Sequence, residues 1–336
     1  MDMVIHPREQ DLVLGTFGRS AYILDDITSL RALARDHDVI TSSGIFAFEP
    51  PVAYLAQTKN APGYYFSCDA YYEGENRPWG GRISYFASVE ADSSKEKKDS
   101  VTILVRDQEG KVLRTLKSVP ENGFNRIVWH LDRKGVRVSF SEKAERDRNR
   151  EPGGGGYVLP GKYELQLSYK GDTATTGIKV ESDPRREYDM AGMKVKQEKS
   201  DLLLESLDEL NEALSSLRDC KESYELVKKL TGEDVSEDLK KSAEKMKGEL
   251  DRIIKLVFRD ESIQGIYYPT DALFVKMSGT NSITGSDSPL TENQLQKLEQ
   301  FISLADETIA MIDYFRENEW KNYKKMVATE EISLIE

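Results

Sequence analysis

Cysteine is nearly absent from this chain of 336 residues: it has only Cys68 and Cys220. Two cysteines in segments assigned below to different domains cannot form a disulfide framework, and no Cys or His stands at metal-ligand spacing. Histidine is as scarce, with His6, His37 and His130 scattered along the chain, so zinc and copper centres lack ligands. No stretch approaches the roughly 18 apolar residues of a membrane span. Met1-Asp2-Met3-Val4-Ile5-His6-Pro7 has no basic segment leading into an apolar run, so no signal peptide is visible. Positive charge is in deficit too, 47 Lys and Arg against 59 Asp and Glu, a net charge of −12. Residues 185–336 hold 32 acidic and 22 basic side chains, a balance that repels nucleic acid and anionic membrane. No nucleic-acid partner is expected.

What is present suits about two domains. The hydrophobic fraction of 38% is enough for a core at this length. Near the start, Asp11–Thr16 and Ala21–Asp26 read as short strands around the turn Phe17-Gly18-Arg19-Ser20. Two strands alone are marginal in water, so this pair needs a host sheet and looks like the end of something larger. Ile45–Tyr54, with Pro50-Pro51, reads as an extended passage laid across a neighbour.

From about 62 to 182 the chain is β-rich. Candidate strands are Tyr64–Cys68, Arg82–Val89, Val101–Arg106, Val112–Leu116, Arg126–Leu131, Tyr163–Tyr169 and Thr175–Val180. Val101, Ile103 and Val105 alternate onto one face, Asp107–Gly110 is a hairpin turn, and Trp129 is a core residue. Seven short strands with turn signals predict an antiparallel sandwich of the immunoglobulin or fibronectin kind. One connection interrupts it: the charged run Ser141–Pro152, then Gly153–Gly156, a composition expected to be a mobile linker. It is no phosphate loop, because a strand rather than a helix follows and the terminal Lys-Ser/Thr is missing.

From about 185 the period becomes helical. Leu203, Leu207, Leu210, Leu214, Leu217 and Tyr224 keep three-four spacing, as do Leu239, Ala243, Met246, Leu250, Ile253 and Val257. Leu295, Leu298, Ile302, Ala305, Ile309 and Ile312 repeat it. Gly232 is a stop, Ser236 an N-cap, and Thr291 with Gln294 a capping box. A short helix or packed segment is expected within Ile263–Met277. Antiparallel neighbours joined by moderate loops predict a three- to four-helix bundle.

No catalytic constellation stands out. There is no Gly-x-Ser-x-Gly elbow, and Asp25 with Asp26 read as a turn or cap rather than a catalytic pair. The surface to weigh is aromatic: Tyr64, Tyr65, Phe66, Tyr71, Tyr72 and Trp79 crowd the sandwich entry, with Asn76 and Arg77 among them. Flat rings beside hydrogen-bonding groups suit sugar rings or the anchor residues of a protein partner. The candidate ligand or partner surface is therefore Tyr71, Tyr72, Asn76, Arg77 and Trp79. The competing structural reading has alternate members facing the core.

The run Asp11-Leu12-Val13-Leu14-Gly15-Thr16-Phe17-Gly18-Arg19-Ser20-Ala21-Tyr22-Ile23-Leu24-Asp25-Asp26 resembles the last propeller blade of bacterial sortilin-like proteins, often labelled BNR-repeat glycosyl hydrolases. Their pattern is roughly D-L-[IV]-[VL]-[AG]-T-H-G-R-S-[IF]-W-[IV]-L-D-D, from which this chain departs at Phe17 and Tyr22. Gly80–Phe86 resembles that family's first sandwich strand. Gly110–Leu116, Gly123–Trp129 and Val158–Tyr163 continue the likeness and also resemble the Ig-like domain of flagellar hook-capping proteins. The Asp-box propeller repeats are missing here, and any hydrolase label belongs to that missing propeller. The resemblance implies a multidomain β + α chain: a propeller-blade remnant over 1–30, an extended linker over 31–61, an Ig-like or fibronectin-III-like β-sandwich over 62–182 and a helical bundle over 185–330. It implies a non-catalytic C-terminal module with no cofactor, the alternatives being a carbohydrate-binding accessory module or part of a glycoside hydrolase whose catalytic residues lie in the missing propeller. Its partner would be the missing propeller in cis or another protein, a glycan being the alternative. The parent protein would be periplasmic, at the cell surface or secreted.

Overall fold

A computed structural model describes residues 2–56, 77–89, 99–140, 152–231, 235–258 and 272–329. The chain is a mixture of several largely antiparallel sheets and a long helical region, and it divides into two compact units. One comprises Met1–Lys134 and Tyr157–Met190, the other Gly135–Gly156 and Ala191–Glu336.

The first unit opens on three strands, β1 (Asp2–Ile5), β2 (Leu12–Gly15) and β3 (Ala21–Leu24), paired antiparallel in that order. The sequence reading anticipates the last two and misses β1, whose Met3-Val4-Ile5 run carries no alternation. Two short helices follow, α1 (Thr28–Arg35) and α2 (His37–Thr41), then strands β4 (Ile45–Ala47) and β5 (Ala53–Leu55). The expected extended linker over 31–61 is thus corrected as far as residue 56, and 57–61 lie outside the described residues. Pro50 and Pro51 fall between β4 and β5, and Ile45, Ala53 and Leu55 bury their side chains in the core.

The remaining strands of this unit are β6 (Gly81–Ala87), β7 (Val101–Arg106), β8 (Val112–Ser118), β9 (Gly123–Trp129) and β10 (Asp132–Lys134). After β11 (Gly154–Tyr157) come β12 (Gly161–Tyr169) and β13 (Asp172–Ser182). One five-stranded sheet runs β5-β13-β12-β7-β8, antiparallel except where β5 lies parallel to β13. A three-stranded sheet runs β4-β6-β9. Both feed one core: Ile83, Tyr85 and Trp129 from the smaller sheet meet Ile103, Val105, Leu165 and Leu167 from the larger. The alternation read at Val101, Ile103 and Val105 is present as a buried face. Between β7 and β8 the turn closes with Gly110 N–H on Asp107 O at 3.1 Å, and Gly110 takes φ +83°. The expected strand Tyr64–Cys68 lies outside the described residues.

In the second unit, α3 (Met190–Thr231) and α4 (Glu237–Val257) precede the short α5 (Leu273–Ser278) and α6 (Asn281–Gly285). Then α7 (Glu292–Phe315) passes through a π turn, Arg316–Trp320, into α8 (Lys321–Thr329). All three predicted stripes contribute to one core, with Leu210, Leu214, Leu217, Ile253, Phe301 and Ile312 fully buried. Ser236 caps α4 by accepting from Leu239 N–H, and Thr291 with Gln294 forms the capping box of α7. Of the short helix or packed segment expected within Ile263–Met277, Leu273–Met277 lies in α5, while residues 263–271 and Gly232 lie outside the described residues.

The glycine run departs from expectation. Gly154–Tyr157 is a strand, and Gly153 O accepts from Gly135 N–H at 3.0 Å. A Cβ on Gly135 would stand 2.7 Å from that carbonyl, so glycine here serves a close backbone approach rather than mobility.

Leu214→Ala should lower unfolding free energy by about 2–5 kcal/mol, because it opens a cavity in a fully buried core. Thr291→Ala should cost about 1 kcal/mol by removing one cap. Urea unfolding of both variants followed by circular dichroism checks the ranking; equal losses would contradict it.

Candidate functional site

Strand β6 is buried on both faces. Ile83, Tyr85 and Ala87 face the core, while Arg82 and Ser84 point the other way and are still only 2% and 3% exposed. Polar side chains on a covered face need partners. The cover comes from the turn that ends β3.

At that turn Asp26 adopts φ +48°, a left-handed conformation that Asp tolerates better than most residues. Its N–H donates to Asp11 Oδ1 at 2.9 Å, and its own Oδ1 accepts from the amide and hydroxyl of Thr28 at the start of α1. Of the turn or capping role expected for this aspartate, the turn role is present, while the N-cap of α1 is Ile27 and makes no side-chain cap hydrogen bond. Across from it, Arg126 on β9 donates to the carbonyls of Asp25 and Asp26, each at 3.1 Å, and from Nε to Ser84 Oγ at 3.0 Å. The Asp26 carboxylate, wholly buried, lies 3.8 Å from Arg126 Nη2. Arg82 Nη1 stands 3.4 Å from Asp25 Oδ2. Burial lowers the pKa of Arg82, and nearby Arg77 and Arg126 add to that, while Asp26 and Asp25 oppose it.

Arg77 lies at the rim of this cluster. Its Nη1 donates to Glu9 Oε2 at 2.9 Å and passes within 3.9 Å of Asp11 Oδ2. Trp79 is half-buried, stacked on His130 with centroids 6.2 Å apart and edge-on to Tyr157 at 5.2 Å. His130 Nδ1–H donates to Trp79 O at 3.2 Å. Of the predicted ligand surface, Arg77 and Trp79 therefore have partners inside the chain, and Tyr71, Tyr72 and Asn76 lie outside the described residues.

Chemically the cluster is a set of guanidinium–carboxylate and guanidinium–carbonyl contacts that fasten the first three strands to β6 and β9. Among the described residues no group of three or more His, Cys, Asp or Glu is placed to hold a metal ion, and no helix is long and apolar enough to cross a membrane. Sequence reasoning missed Arg82, Ser84 and Arg126. The available signal was Arg-x-Ser on a strand whose intervening residues are core hydrophobics, which marks a polar face awaiting a cover.

The two arginines should differ sharply on mutation. Arg126→Met removes three hydrogen bonds and the cation 3.8 Å from the buried Asp26 carboxylate, so stability should fall by about 3–5 kcal/mol. Arg77→Ala removes a rim pair and should cost at most about 1 kcal/mol at neutral pH. Burial by itself would raise the Glu9 pKa, but hydrogen bonds from Arg77 and Arg8 outweigh it and bring the carboxyl below 4.5. Glu9 thus supports the fold above that value and loses the contribution as pH falls through its folded pKa. Arg77→Ala should flatten this acid-side slope in denaturation curves, and an unchanged slope would contradict the assignment.

Comparison with protein-family models, curated proteins and solved structures yields no match for the chain.

Proposed function

We propose that this chain is a non-catalytic structural and interaction module, the C-terminal portion of an exported sortilin-like β-propeller protein. The observation that carries this reading is the chemistry of the β1–β3 sheet. Its register places Met3, Leu14 and Tyr22 opposite one another, with Ile5, Leu12 and Leu24 on the same face. Val4, Val13 and Ile23 line the other face. Apart from Asp2 at one end, neither face is polar, yet Met3, Val4 and Ile23 are each more than 60% exposed and Tyr22 is 52% exposed. Strands apolar on both sides belong to a sheet covered on both sides, and an exposed apolar area of this kind marks a contact surface. The resemblance to a last propeller blade names the cover: neighbouring β-structure of the parent protein, in the periplasm, at the cell surface or outside the cell.

In this reading the sandwich and the bundle each serve to brace the parent protein's propeller or to present it to a partner. An immunoglobulin or fibronectin-type sandwich is supported by the single core between the two sheets and by Trp129, buried edge-on to Tyr163 at 5.6 Å. The hydroxyl of Tyr163 donates to Leu159 O at 2.6 Å, an arrangement like the tyrosine corner of such domains. The shared core of α3, α4, α7 and α8 supports the helical bundle. Trp79 makes its ring contacts within the chain, so it lends no weight to the glycan-binding alternative.

Val4→Asp with Ile23→Lys tests the surface. Both sites are exposed, so each change should shift stability by no more than about 0.5 kcal/mol. The double variant should bind much less of a fluorescent apolar-surface dye than the parent chain. Unchanged dye binding, or a severe loss of stability, would show that the sheet is not an open apolar surface.

A further inference from the structure

The second unit buries a lysine beside a serine. Lys196, on α3, is 4% exposed, and its Nζ lies 2.5 Å from Ser286 O, 2.5 Å from Ser286 Oγ and 3.0 Å from Ser288 O. These oxygens belong to the short stretch between α6 and α7. Burial lowers the Lys196 pKa to about 8, and Asp287, on that stretch, acts in the opposite sense. On α3 itself the buried neighbours one turn away, Met193 and Ser200, are uncharged.

The three contacts change character with one proton. As an ammonium, Nζ donates to all three oxygens. As an amine it keeps two N–H donors and gains a lone pair. The carbonyls of Ser286 and Ser288 can only accept, so they retain the two donors. Ser286 Oγ is the one partner able to donate, and the lone pair turns to it. A hydroxyl held against a buried amine is the arrangement of a base-activated nucleophile. Ser286 is half-buried rather than enclosed, and it follows Gly285, where an added Cβ would meet nothing within 4 Å.

We propose that Ser286 is a nucleophilic serine, activated by Lys196 as general base, that becomes covalently modified by activated acyl or phosphonyl donors. With a fluorophosphonate, Ser286 Oγ forms a bond to phosphorus and the P–F bond breaks. Fluoride leaves with the electron pair, and the hydroxyl proton passes to Lys196 Nζ. The modification is stoichiometric, one group per chain, and does not depend on the interaction role proposed above.

The test treats the full chain with a fluorophosphonate probe from about pH 6 to 10, spanning the lysine's value, and maps adducts by peptide mass spectrometry. The expected result is an adduct on Ser286 whose rate of formation climbs with pH and levels off above about 8. Ser286→Ala should abolish it. Lys196→Arg keeps a positive charge but cannot act as a base, and should slow labelling about a hundredfold or more. Asp287→Asn removes the carboxylate that favours the ammonium, so the pH profile should move to lower pH, which tests the pairing even if Lys196→Arg unfolds. The proposal is overturned by no adduct on Ser286, by a rate flat in pH, by a profile unmoved in Asp287→Asn, or by equal labelling of the urea-unfolded chain.

Discussion

The guanidinium of Arg126 makes three hydrogen bonds in three directions, to Asp25 O, Asp26 O and Ser84 Oγ. Through them the turn after β3 is laid on the outer face of the β4-β6-β9 sheet, and a strand with core on one side gains a cover on the other. That cover is polar, and its burial is tolerable only because each carboxylate in it has a cation within reach. The β1–β3 sheet is held at this end. Apart from Asp2, its faces carry apolar side chains that do not belong to the unit's own core.

Much of the architecture was legible because ordinary periodicities carry it. Alternation at Val101, Ile103 and Val105 and the hairpin at Asp107–Gly110 follow from strand and turn chemistry. Trp129 is buried as its size suggests, and the three helical stripes with their Ser236 and Thr291 caps read directly. The misses have physical causes as well. Residues 31–61 read as extended because Pro50-Pro51 dominates a local pattern. The pairing of β4 with β6 and of β5 with β13 depends on strands far along the chain. Gly153–Gly156 reads as a linker because composition says nothing about a backbone that pairs through its own amides.

The candidate site was the least legible region. The aromatic run draws attention because rings are conspicuous, yet Trp79 packs on His130 and Tyr157, and Arg77 reaches Glu9. The organising residues, Arg82, Ser84 and Arg126, are scattered in a chain that is 32% charged, and they become a site only when β6 and β9 align Ser84 opposite Arg126. Lys196 and Ser286 are likewise 90 residues apart, joined by the path of the chain after α6. Interactions of this range leave no periodic trace in sequence.

We propose that the sheet of β1, β2 and β3 has its apolar faces completed by other β-structure. Amide hydrogen exchange, read peptide by peptide in this chain and in the native protein purified from its source, tests it most directly. Amides of β1 and β3 should exchange rapidly in the isolated chain, while those of β6, β7 and β12 should be protected. In the native protein, residues 2–24 should become as protected as the core strands. Core-level protection of residues 2–24 in the isolated chain, or continued rapid exchange in the native protein, would contradict it.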